Sequence, residues 1–191
     1  MTEFVNALEY KELQKAQIIT FCLPEKRNPL SVSTLNELAN LVNELVEKPL
    51  IFTGTGGVFA SGANLREISR LKAENACEFA ERGQNLFSKI RKLSIPTFAA
   101  IDGYCMGGGL DLALSCNRRI ATPRSIFAHP GAKLGIITGW GGTQLLPKLV
   151  GQGFACEMLF TGKNVASTEA LRKGLIESIT DEPVNFILST L

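Results

Sequence analysis

The sequence predicts an α/β fold wound as a layered spiral, and three observations predict it. Apolar, β-branched runs of strand length alternate with amphipathic helical patterns along the chain. A strand, a glycine-rich turn and a helix start then recur in that order at "LIFTGTGGVFASGANLREI" (50–68), "FAAIDGYCMGGGLDLAL" (98–114) and "LGIITGWGGTQLL" (134–146). Finally, 191 residues with no linker or low-complexity stretch fit one domain spanning 1–191. What repeats is turn chemistry more than sequence. Such a spiral brings its strand ends to one face, the usual place for ligands in sheets of this kind.

Each element has its own signal. Strands are expected at "QIITFCL" (17–23), "PLIFTG" (49–54), "TFAAIDG" (97–103), "RRIA" (118–121) and "LIESIT" (175–180). The clearest helix carries Leu35, Leu38, Leu41, Val42, Leu45 and Val46 on one stripe, with Ser31 and Ser33 before it and Pro49 closing it. A second helix is expected from about Asn64 to Leu93.

Composition removes several function classes. Twenty basic residues against 18 acidic ones give +2, and no like-charged run is long enough for a nucleic-acid face. The start, "MTEFVNALEY", lacks a basic segment followed by an apolar one, and no eighteen apolar residues run together, so a cytoplasmic protein without a membrane partner is expected. The five cysteines, Cys22, Cys77, Cys105, Cys116 and Cys156, are scattered and show no CxxC spacing. One histidine, His129, cannot build a multi-histidine metal cluster, and no GxSxG surrounds a serine. No metal site is expected.

The glycine turns carry the chemistry. A glycine turn that opens a helix offers unpaired N–H groups at the positive end of the helix dipole, which makes an anion site. A P-loop needs Lys-Ser/Thr after its last glycine, and no lysine follows "GGG" or "SGA". The dinucleotide fingerprint fails as well, because "GTGGVF" has Phe59 where the third glycine belongs. Close packing of helices on the sheet explains any one turn. Two turns beside a carboxylate favour an oxyanion hole with one N–H from each.

"FASGANLRE" and "GYCMGGGLDLALSC" resemble the paired motifs of the crotonase superfamily, the enoyl-CoA hydratase/isomerase family. "RNPLS" (27–31), "GWGGTQLLPKLVG" (139–151) and "TGKNVASTEALRKGLIESI" (161–179) match it in the same order. The resemblance covers essentially the whole chain. It implies a crotonase-like spiral of strand-strand-helix units, with the family's usual C-terminal helices largely missing after "GLIESI".

The resemblance also implies a site. The thioester carbonyl of an acyl-CoA or enoyl-CoA would lie between the backbone N–H groups of Ala63 and Gly108, with Asn64, Leu65 and Arg66 beside it. Asp111 matches the first of the family's two glutamates, one methylene shorter; a helix-start carboxylate is its structural alternative. The second glutamate falls on Gly131 in "AHPGAKLG", so one acid is absent. His129 and Lys133 flank that gap and stay outside the expected catalytic set. Lys26 and Arg27 lie where the family's chain passes the CoA nucleotide, either to meet phosphates or as a solvated pair. Trp140 and Phe59 are candidates for an acyl pocket, with burial in the core as the alternative. CoA enters as part of the substrate, and no separate cofactor is expected.

The resemblance implies three chemistries: hydration first by base rate, a one-base double-bond isomerisation that suits the single acid better, and chemistry aided by a small anion such as bicarbonate filling the space at Gly131, as in the family's naphthoate-synthase branch. A non-catalytic acyl-CoA binder or assembly partner is the rival from another class. A homotrimer or dimer of trimers is expected, since the family covers its pocket rims between subunits and this chain stops at Leu191. Restoring the acid with Gly131→Glu is expected to raise hydration.

Overall fold

The computed structural model describes residues 7–191, so the expectation of no targeting segment at the very start falls partly on residues 1–6, outside the described residues. Strand β1 (Leu8–Glu12) pairs antiparallel with β2 (Gln17–Phe21), whose alternate residues are buried. A 3₁₀ turn at Pro24–Lys26 leads to β3 (Pro29–Leu30) and helix α1 (Val32–Asn43). The Ser31 hydroxyl accepts the Thr34 N–H at 3.1 Å and caps this helix, which buries Leu35, Leu38 and Val42.

The chain continues through β4 (Leu50–Gly54), β5 (Val58–Ala60), β6 (Gly62–Ala63), α2 (Leu65–Ile68) and α3 (Ala73–Arg91). The single helix expected over 64–93 is therefore two. Lys72 is extended, at φ −116° and ψ 166°, and its N–H is held by the Asn75 side chain at 2.8 Å, which restarts the helix. Next come β7 (Thr97–Ile101), β8 (Tyr104–Met106) and α4 (Gly108–Ser115), then β9 (Arg118–Ala121), β10 (Ile126–Ala128) and a 3₁₀ turn at Pro130–Leu134. Helices α5 (Gly142–Val150) and α6 (Gln152–Thr161), strand β11 (Val165–Ala166), α7 (Ser167–Arg172), β12 (Ser178–Ile179) and α8 (Pro183–Thr190) complete the order.

Two sheets share the repeat. The six-stranded sheet runs β1-β2-β4-β7-β9-β12, and the four-stranded one runs β11-β10-β8-β5. Strands β4, β7 and β9 lie parallel in the first, while their successors β5, β8 and β10 lie parallel in the second. Each strand-strand-helix unit thus contributes one strand to each layer, which is the spiral expected from the repeated turns. Expected strands 17–23, 49–54, 97–103 and 118–121 all form, and 175–180 narrows to Ser178–Ile179.

Helix α4 lies at the centre, with all eight of its residues buried. Its C-terminal carbonyls are closed by a buried arginine: the Arg119 guanidinium donates to the Ala113 carbonyl at 3.5 Å and the Cys116 carbonyl at 2.8 Å, also holds the Leu175 carbonyl at 2.8 Å, and pairs with Glu177. A cation at that end suits the helix dipole. It anchors the helix whose other end faces the cleft. Among the described residues no helix is long and apolar enough to cross a membrane.

Candidate active site

The three successive glycines are explained by what crowds them. Gly107 holds φ +51°, a conformation costly for a residue with a side chain, and its N–H donates to the Ala128 carbonyl at 2.9 Å. A β-carbon on Gly108 would stand 2.5 Å from the Trp140 ring and 3.4 Å from the Ala63 nitrogen. One on Gly109 would strike the Ala60 carbonyl oxygen at 2.3 Å. Only three bare backbones allow α4 to start against both β5–β6 and the indole.

The first turn meets the second there. Gly62, at φ +93°, lies so close that its β-carbon would stand 2.8 Å from the Gly108 nitrogen, which brings the Ala63 and Gly108 amides to one place. Gly108 opens α4, so its N–H has no acceptor within that helix. Both residues face a cleft of about 1250 Å³, and all eight site residues expected from the sequence line it. Lys26, Arg27 and Arg66 stand exposed at its rim, and Leu65 is also exposed. Asn64 has a further duty: its side chain accepts the Arg66 N–H at 3.0 Å and caps α2.

Asn28 sets the basic rim. Its side chain accepts the Leu23 N–H at 2.8 Å and donates to the Val58 carbonyl at 2.6 Å, while its own backbone is left-handed at φ 48°. The Ser61 N–H then reaches the Arg27 carbonyl at 3.2 Å. Through these bonds the Lys26–Arg27 loop is tied to the Ala63 turn.

Asp111 is fully buried one turn into α4. Its Oδ2 accepts from the Thr138 hydroxyl, and its Oδ1 lies 3.6 Å from His129 Nε2. Burial pushes its carboxyl up to about 7, against the opposing pull of the Thr138 hydroxyl bonded to it. Burial also drives the His129 imidazole down to about 4. The two are therefore not an ion pair at neutral pH. Among the described residues, Asp111 Oδ1 and both His129 ring nitrogens have no hydrogen-bond partner.

Sequence reasoning missed three parts of this cluster. His129 stood outside the expected set, yet it shares the cleft with Asp111. Thr138 carries no sequence signal. Gly142 gave only a helix-start signal, although a β-carbon there would stand 2.3 Å from Asp111 Oδ1 and 2.9 Å from His129 Cε1. The aromatic candidates divide. Trp140 lines the cleft, with Phe79 and Phe87 ring centroids at 5.4 and 5.8 Å. Phe59 does not: it is completely buried against Phe21 at 6.0 Å, since β5 points it into the core between the layers.

The gap at Gly131 is tight. A β-carbon there would stand 2.8 Å from the Ile136 carbonyl oxygen, so the backbone leaves little room for the family's second acid. Lys133 is exposed and lies off the cleft lining.

A two-layer spiral with two amide-bearing turns and one buried acid on a single cleft defines a crotonase-fold protein. The model of the enoyl-CoA hydratase/isomerase family matches residues 12–187, and the chain belongs to that family. It is 34% identical over 184 residues to a short-chain-enoyl-CoA hydratase of Clostridium acetobutylicum, covering 94% of this chain and 70% of that protein. A crotonyl-CoA hydratase of Syntrophomonas wolfei is 36% identical over 181 residues, covering 92% of this chain and 69% of the relative. The crystal structure of an enoyl-CoA hydratase from Thermoplasma volcanium superposes with a TM-score of 0.91 at 31% identity, over 96% of this chain and 75% of that one. The chain spans about 70% of the length of the curated relatives it matches.

Proposed function

We propose that this chain binds a short enoyl-CoA thioester and hydrates it. The observation that carries the reading is one buried carboxyl, Asp111, poised near neutrality in the cleft lined by the Ala63 and Gly108 amides. The names of the two relatives, short-chain-enoyl-CoA hydratase and crotonyl-CoA hydratase, support the substrate class.

The chemistry follows from charge. As the water oxygen bonds to Cβ, the alkene pair moves toward the thioester oxygen, and two preorganised N–H donors stabilise the anion that forms there. Loss of one such donor typically costs about 2.7–4 kcal/mol. Asp111 takes the water proton, and a proton is returned to Cα, so one water is consumed and nothing is oxidised. A carboxyl near 7 is half protonated at neutral pH and serves in either direction. Lys26, Arg27 and Arg66 supply positive charge for the CoA phosphates, and CoA leaves with the product.

Crotonyl-CoA turnover, followed by loss of the conjugated alkene, tests the reading. Activity that disappears in Asp111→Asn supports it. A shifted double bond in the product instead assigns isomerisation, and calorimetric binding without turnover assigns a binder. Self-association, as a trimer, belongs to the same proposal: Phe160 is 74% exposed, and Leu171 and Leu149 are also exposed. Light scattering that shows a monodisperse monomer at micromolar concentration would refute that part.

A further inference from the structure

We propose that His129 is the second proton-handling side chain of this cleft, sharing a proton with Asp111 across a 3.6 Å gap and standing in for the acid absent at Gly131. The proposal rests on the thioester reading above.

The first ground is satisfaction. A buried imidazole kept for structure is normally hydrogen-bonded, because a buried polar group left unpaired loses its hydration without compensation. His129 is 3% exposed, yet neither ring nitrogen has a partner among the described residues. The same is true of the Asp111 oxygen that faces it. Three unpaired polar atoms, on two residues lining one cleft, mark a place kept for a ligand or a water. The gap exceeds a hydrogen bond, as catalytic contacts often do before substrate closes the site.

The second ground is placement. Strands β8 and β10 pair in parallel with Ala128 opposite Met106, so His129 follows directly where the Gly107–Gly108 turn begins. The imidazole therefore arrives from the strand beside the oxyanion turn, and Asp111 from the helix that this turn opens. Gly142 at the start of α5 closes the third side without a side chain.

Among the described residues no other charge intrudes on the pair. From β8, Cys105 lies nearby, but burial holds its thiol well above its ordinary value and it stays neutral. Lys133 in the 3₁₀ turn, Lys148 on α5 and Glu157 on α6 are exposed. Arg66 and the Lys26–Arg27 pair sit on the exposed rim. The pair titrates as a unit: between about 4 and about 7 it holds one proton, and above that it holds none. In hydration the water proton goes to the pair as oxygen bonds to Cβ, and the pair delivers one proton to Cα. The proton count of the pair is restored each turnover.

The chain has one histidine, which makes its imidazole signals unambiguous in NMR. In the parent, the ring signals are expected to sense a step near pH 7 that vanishes in Asp111→Asn. Rings that titrate identically in both proteins would overturn the pair, whether or not the chain turns over a thioester. For the role in catalysis, His129→Gln is expected to lower crotonyl-CoA hydration at least tenfold, keep KM within about threefold and lose one limb of the pH profile. His129→Asn guards against a folding defect in that variant. An active parent whose rate and pH profile survive both substitutions would overturn the role. A parent that binds but never turns over fails the hydratase reading itself and leaves the pair to the NMR result.

Discussion

His129 Nε2 lies 3.6 Å from Asp111 Oδ1 in a buried pocket, and burial moves the two groups in opposite directions, the carboxyl up to about 7 and the imidazole down to about 4. Their effects on stability therefore oppose each other. The folded Asp111 binds a proton more readily than the unfolded one, so its contribution is present below about pH 4 and is lost as pH rises to about 7. Folded His129 binds a proton less readily, so its contribution grows from about pH 4 to about 6.5.

The parent is accordingly expected to show little dependence of stability on pH between about 4 and 6.5 from this pair. Asp111→Asn should unmask a rise with pH, and His129→Gln a fall, each on the order of 3 kcal/mol across its window. Urea unfolding of the three proteins at several pH values measures it. Equal slopes in both variants would contradict the assigned directions.

Gly142→Ala tests the closed side of the pocket. Its methyl would stand 2.3 Å from Asp111 Oδ1 and 2.7 Å from Thr138 Cγ2, so the cluster has to move. We expect about 1–3 kcal/mol of destabilisation, the usual range for overpacking, and a greater loss in hydration rate than in thioester affinity. Thermal unfolding and steady-state kinetics separate the two effects.

Gly108→Val should abolish thioester binding. Its β-carbon would meet the Trp140 ring at 2.5 Å and approach the Ala63 nitrogen to 3.4 Å, so both the indole and the carbonyl site are disturbed. Calorimetry with a CoA thioester checks this on a variant shown to be folded by circular dichroism. Unchanged affinity would remove Gly108 from the proposed oxyanion pair.

Restoring a carboxylate at Gly131 is expected to fail, contrary to what the sequence suggests. The new β-carbon would stand 2.8 Å from the Ile136 carbonyl oxygen, a backbone atom that cannot swing aside as a side chain does. A hydration assay of Gly131→Glu should show no gain over the parent. A tenfold rise would mean that the Pro130–Leu134 turn yields easily.

Arg119→Met should cost roughly 3 kcal/mol, because the Cys116 and Leu175 carbonyls lose a buried donor and α4 loses the cation at its C-terminal end. Denaturant unfolding measures the loss. Hydration by the folded fraction should change little, since the substitution lies at the opposite end of the helix from Asp111.

The spiral, the first helix and the two amide turns were legible in the sequence because each rests on local chemistry. Apolar spacing buries the Leu35–Val42 stripe, and glycines mark positive φ at Gly62 and Gly107. The short strands β3, β5, β6, β8, β10 and β11, two or three residues each, carry too little pattern to be read, and exist because a neighbour pairs with them. The fate of Phe59 depended in the same way on which side of β5 faces the core.

The sequence by itself therefore determined the repeat, the two glycine turns and the presence of one acid at Asp111. Tertiary structure alone decided that His129 faces that acid, that Thr138 bonds it, that Gly142 leaves room for both, and that Gly131 has no space for another. The reason is register. Residues 111, 129, 138 and 142 come from separate elements, and their meeting depends on the parallel pairing of β8 with β10 and on how closely α5 approaches α4. Those distances come from the packing of the whole core, and no local spacing along the chain encodes them.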